Sequence, residues 1–171
     1  TADLDNSTFT GTNANGTIQL EGDIAAGAGT VTFSLADCNG WLGATAPAGD
    51  GEIISASDVI KNGLGALRLN GAANTYTGTT NINAGALLVN GVLTADADTV
   101  HVNSGGTLGG DGDGIITGRI GTTPGARDVI VHAGGILDPG DCNPNGSTPT
   151  CGPQPGQLTV NGDITFDPAG T

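Results

Sequence analysis

Cys142 and Cys151 flank NPNGSTPT, a loop whose Asn, Gly and Pro residues let its ends return to within bonding distance. In an exported protein such a pair reads as a disulfide closing a small loop; in a cytosolic chain it reads as two free thiols. Cys38 is left over: free, paired outside this stretch, or linking chains. His101 and His132 are the two histidines. His101 sits between Val100 and Val102, so it points outward. Aligning Val102 with Val131 sets His101 opposite Ile130 and His132 opposite Asn103. On that alignment the histidines do not stack at equivalent positions, and both read as solvent-facing residues at strand ends. A zinc site needs several converging ligands. None is legible, so no metal and no cofactor are expected.

Catalytic groups are equally sparse. No Gly-x-Ser-x-Gly elbow is present. Asp111 and Asp113 form a close carboxylate pair, but within a glycine turn. The stretch GGDGDGII at 109–116 has the texture of a calcium nonapeptide, yet Gly114 stands where a ligand aspartate belongs, and consecutive copies are missing. Lys61, Arg68, Arg119 and Arg127 are the four bases, scattered along the chain. Trp41, the single tryptophan, either folds back over an apolar face or serves as a contact residue. No catalytic residue is expected.

The elements that carry these residues are short strands. Ile18 and Leu20, then Val31, Phe33 and Leu35, then Leu67 and Leu69 alternate with polar residues between glycine-rich turns. Glycine numbers 32, against about 12 at average usage, without the period of collagen. Aromatics are 3% and methionine is absent, too few large side chains for a sandwich core of this size but enough for a narrow stack of Val, Ile, Leu and Ala. Ile82–Leu88, Val102–Leu108 and Val131–Leu137 align, with Gly85, Gly105 and Gly134 at their corners. A variable period in the twenties signals a solenoid. A net charge of −13 argues against nucleic acid and against anionic membrane surfaces as partners. No stretch approaches the ~20 apolar residues of a membrane helix, so membrane insertion of this segment is not expected. No charged-then-apolar leader opens the chain, and Thr1 reads as the start of a processed or excised piece.

Residues 58–91 carry a denser pattern: Lys61, Gly63, Gly65, Leu67, Leu69, Asn74, Tyr76, Gly78, Thr80, Gly85, Leu88 and Gly91. This pattern resembles the passenger-associated transport repeat of bacterial autotransporters. Residues from Thr107 onward are similar to the same family, with an enlarged turn at 141–155. The resemblance implies an extracellular, right-handed parallel β-helix, with leader and membrane barrel outside this stretch. Seven to eight coils are expected, with 37–51 and 141–155 as inserted loops. Expected inward residues include Ile18, Leu20, Val31, Phe33, Leu67, Leu69, Ile82, Leu88, Val100, Val102, Val129, Val131, Leu158 and Val160. The function expected is non-catalytic adhesion or self-association, with host or bacterial surface molecules, or further copies joined at coil edges, as partners. A filament subunit and a carbohydrate-active enzyme are the alternatives.

The cysteine spacing makes a first prediction. Cys142 and Cys151 form a disulfide that excludes Cys38, contributing about 2–3 kcal/mol of local loop closure. Mass spectrometry of unreduced peptides should find that pair, and replacing both by serine should leave the β-sheet circular dichroism intact while the loop becomes easier to cleave. A crosslink to Cys38 would refute it.

Overall fold

The computed structural model describes residues 2–3, 8–11, 17–20, 23–36, 39–42, 52–71, 73–94, 98–110, 118–122, 124, 127–140 and 157–167. Cys38, Cys142, Cys151, Asp111, Asp113 and the 141–155 loop lie outside them.

Alternating apolar residues between glycine corners produce short strands, and each strand pairs in parallel with its counterpart one coil away. The result is a parallel β-helix with three walls. The first wall is seven strands: Thr8–Gly11, Thr30–Leu35, Asp58–Asn62, Thr80–Ile82, Val100–Val102, Val129–His132 and Ile164–Asp167. The second is six: Thr17–Leu20, Asn39–Leu42, Ala66–Leu69, Gly85–Val89, Gly106–Gly110 and Ile136–Pro139. The third comes in two parts, Ala2–Asp3 with Ile24–Ala25 and Ile53–Ser55, then Val92–Leu93 with Gly118–Ile120 and Leu158–Val160. Among the described residues there is no helix.

Register makes the core. In the first wall Val31, Val59, Thr80, Val100 and Val129 form one inward column. Phe33, Lys61, Ile82, Val102 and Val131 form the next. Every apolar member of both columns is buried. Each such side chain withdrawn from water contributes about 1.5–3 kcal/mol, so the stack needs no large aromatic centre. The Phe9 and Phe33 rings stack with centroids 5.2 Å apart. The inward residues expected from sequence are buried where their side chains are described, apart from Leu158 and Val160. Those two are half-buried because they belong to the last described coil of the third wall. The side chains of Ile18 and Leu20 are outside the description.

Two details depart from the sequence reading. Asn39–Leu42, placed in an inserted loop, is a strand of the second wall, with Trp41 in register between Gln19 and Arg68. Its inward position is Gly40, where an added Cβ would meet Leu35 Cδ1 at 2.9 Å and Leu67 Cδ1 at 3.1 Å. Neighbouring leucines fill the space that an apolar residue would occupy, so the alternation that marks a strand is missing. Of the stretch 37–51, residues 39–42 are thus part of the wall, and 37–38 and 43–51 lie outside the described residues. Second, the leucine column of the second wall is Leu67, Leu87, Leu108 and Leu137. The turn after Ile82 is one residue shorter than those after Val102 and Val131, which moves Leu87 into the place assigned to Leu88; both are buried.

The corners are tight. Gly85, Gly105 and Gly134 have φ of 65°, 84° and 81°, the left-handed region that glycine enters freely. Gly78 is closer still: a Cβ there would lie 0.8 Å from the Ser57 carbonyl oxygen of the preceding coil. Gly78→Ala should therefore cost about 3 kcal/mol or more by forcing two coils apart. Urea titration followed by circular dichroism checks it, and a loss under about 0.5 kcal/mol would contradict the packing described.

Candidate functional site

The residues with the richest chemistry converge inside the rod. Lys61 lies two positions after Val59, so the alternation turns it inward, and it is fully buried. Its Nζ donates to the carbonyls of Asn62, Gly63 and Ala84 at 2.8, 2.7 and 3.1 Å. A buried ammonium is costly unless its donors are matched, and here three carbonyls of the corner receive them. Lys61 thus ties its own turn to the turn of the next coil.

Asn74 stands where the third wall changes from one part to the other. Ile53–Ser55 ends the first part, and Val92–Leu93 begins the second. Asn74 spans the gap with side chain and backbone together. Its Oδ1 accepts from the Ile53 N–H at 3.0 Å, and its Nδ2 donates to Gly71 O at 3.3 Å and Val92 O at 3.2 Å. Its own N–H donates to Val92 O at 2.8 Å. The amide replaces the ladder bonds that a regular strand would make.

Beyond it, Tyr76 and Thr80 are buried, with their hydroxyl oxygens 2.6 Å apart. Arg127 enters from a later coil, 1% exposed, with its guanidinium carbon 4.7 Å from the Tyr76 ring centroid. Its Nη2 donates to Gly78 O at 3.0 Å and Tyr76 O at 3.3 Å, and its Nη1 to Thr80 Oγ1 at 3.4 Å. These contacts join residues 47 to 51 positions apart. The group is a polar clamp between coils, closed to substrate. Sequence reading treated Lys61 and Arg127 as scattered bases. The signal that places them was present: Arg127 lies two residues before the inward Val129, just as Lys61 follows Val59.

With Arg68 also buried, three of the four bases are withdrawn from the surface, and Arg119 alone of them is exposed. The ends of the first-wall strands carry asparagines in register, beside an outward column of Thr32, Ile60, Asn81, His101, Ile130 and Thr165. Asn103 Nδ2 donates to Asn83 Oδ1 at 2.8 Å, and Asn83 Nδ2 to Asn62 Oδ1 at 3.0 Å. A second such pair joins Asn90 to Asn70 at 3.0 Å.

The histidines require a correction. His101 is opposite Ile130, as the alignment gives, yet the two imidazoles meet. His101 Nδ1 lies 3.1 Å from His132 Nε2, with ring planes 9° apart. His132 follows the asparagine column, one coil beyond Asn103, and its side chain reaches diagonally to His101. Its Nδ1 is 3.7 Å from Asp167 Oδ2. Backbone register gave their strand positions but not the diagonal reach of two long side chains. Burial, and then the neighbouring charge of His132, hold the His101 pKa below its ordinary value.

The motif residues therefore act as coil-to-coil fasteners. A family model for the passenger-associated-transport-repeat matches residues 59–89, the span that holds Lys61, Asn74, Tyr76, Gly78 and Thr80. The chain is a parallel β-helix that carries a repeat similar to that of autotransporter passengers. The chain is also similar to the adhesin BmaC autotransporter of Brucella suis biovar 1 (strain 1330), with 36% identity over 83 residues. That match covers 48% of this chain and 2% of the adhesin, so the chain spans a small fraction of its relative's length. No solved structure matches the chain.

The repeat's clamp is testable through a single oxygen. Tyr76→Phe leaves the Thr80 hydroxyl without its 2.6 Å partner in a dry site. It should cost about 1–3 kcal/mol, read from the denaturation midpoint, with the sheet spectrum unchanged. A neutral or stabilising result would mean the hydroxyl pair contributes nothing to the stack.

Proposed function

We propose that this chain is a non-catalytic stretch of an extracellular passenger rod that mediates adhesion or self-association. The observation that carries the reading is the placement of the polar chemistry. Lys61, Asn74, Tyr76, Thr80 and Arg127 are occupied inside the stack, while the outer first wall carries an asparagine ladder beside a mixed column of Thr32, Ile60, Asn81, His101, Ile130 and Thr165. A rod built this way offers a long contact surface. Three of its four bases are buried and so are not available outside to grip an acidic polysaccharide for cleavage. Similarity to an adhesin autotransporter supports the same reading.

Host or bacterial surface molecules, or further copies of the chain, are the partners proposed. Trp41 and the Cys142–Cys151 loop remain proposed contact and stiffening features. Ile164 and Phe166 at the last described coil are 43% and 64% exposed, whereas Val129 and Val131, one coil earlier in the same columns, are at most 4% exposed.

The test displays the parent protein on a bacterial surface, with a matched deletion of this stretch. Adhesion to host cells or cell-to-cell aggregation should fall at least several-fold in the deletion while surface display is unchanged. Purified chain should release no reducing ends and no unsaturated sugar from acidic polysaccharides. Unaltered adhesion and aggregation, or sugar release lost in a point variant, would overturn the proposal.

A further inference from the structure

We propose that His101 and His132 form a proton-sharing relay between two coils, with Asp167 of the next coil as its nearby counter-charge, and that acidification opens it and loosens the outer face of the strands it joins. The three residues stand on Val100–Val102, Val129–His132 and Ile164–Asp167, consecutive members of the first wall.

The geometry is that of a single shared proton. The imidazole planes are 9° apart with centroids 5.4 Å apart, while the facing nitrogens are 3.1 Å apart. The centroid separation exceeds the nitrogen separation by about two ring radii, so the rings meet edge to edge and nearly in line. Only one N–H fits on that line. One nitrogen donates, and the other must keep its lone pair to accept. The carboxylate of Asp167 stands 3.7 Å from the other nitrogen of His132, within ion-pair range of that ring but beyond hydrogen-bond distance. A doubly protonated pair would aim two N–H groups at each other and lose the bond.

Neighbouring elements set the electrostatics. The Thr80–Ile82 strand and its end bring Asn81 and Asn83, which are neutral. Asp128 precedes the His132 strand, Asp163 precedes the last strand, and Asp98 precedes the His101 strand. Asp128 is occupied in part by accepting from the Asp163 N–H at 2.8 Å. Asp167 is the carboxylate aligned with His132.

The direction of the pH effect follows. The folded chain holds His101 below the ordinary value of 6.5, first by burial and then through His132, whereas the unfolded chain does not. Folding therefore excludes a proton from His101 in acid. The contribution is fully present above about 6.5 and is lost as pH falls toward the lowered value. The inward valines of the same strands are unaffected, so the change is local and the stack stays folded.

Histidine-selective NMR on the intact chain, titrated from about pH 8 to about pH 4.5, tests the relay. His101 should titrate below its ordinary value of 6.5 in the intact chain. His132→Gln should move the His101 step upward, toward its ordinary value. Amide exchange, corrected for intrinsic rates, should quicken at residues 129–132 and 164–167 by about threefold or more between pH 7.5 and 5. His101→Asn, which keeps a short donor but cannot titrate, should abolish that pH dependence. A His101 step at or above its ordinary value, no movement of His101 in the His132 variant, or equal exchange acceleration in the His101 variant would each overturn the proposal.

Discussion

A parallel strand leaves one row of N–H and C=O groups unpaired until the next coil arrives in register, and this molecule depends on that arrival. A slip of one residue would turn every inward side chain outward. The columns Val31–Val59–Thr80–Val100–Val129 and Leu67–Leu87–Leu108–Leu137 show how closely the register is held despite unequal turns. Where a turn is shorter, as after Ile82, the adjustment is absorbed at a glycine corner and pairing resumes within the next strand. Glycine is required there because successive backbones approach more closely than a methyl group permits, most severely at Gly78 against Ser57.

The same constraint explains why polar residues are buried in so narrow a core. A corner exposes carbonyls that no strand can pair, and burying them unpaired costs more than burying a matched donor. Lys61 supplies three donors at one corner and Arg127 serves the carbonyls of Tyr76 and Gly78 at another. Asn74 does so where the third wall is interrupted. These residues hold together coils that hydrophobic contact alone would leave free to slide, because their bonds are directional. The family signature is thus a record of backbone groups that had to be satisfied. It says how the rod is fastened, and leaves its contacts to the outside.

That outside is strongly acidic. Removing Lys61, Arg68 and Arg127 from the surface leaves Arg119 as the exposed base among many carboxylates. Such a surface resists association through anionic groups and favours recognition through neutral hydrogen bonding, apolar edges or loops. The asparagine column continues into His132 and Asp167 in the last described strands of the first wall. Along that column the side chains change from amides to an imidazole and a carboxylate.

The amino-acid order by itself determined the repeating strand, the glycine corner, the inward aliphatic set and the resemblance to the transport repeat, because each is a local property of period two and turn chemistry. It also held the inward parity of Lys61 and Arg127, which composition-level counting of bases obscured. What it could not disclose were relations between coils. Gly40 hides a strand because Leu35 and Leu67 occupy its place. Arg127 reaches Tyr76 and Thr80 from 51 and 47 residues away. His132 leans across the register to meet His101. Only tertiary structure decides these, since each depends on the offset between stacked backbones and on how far a side chain extends across it. A linear alignment carries neither distance.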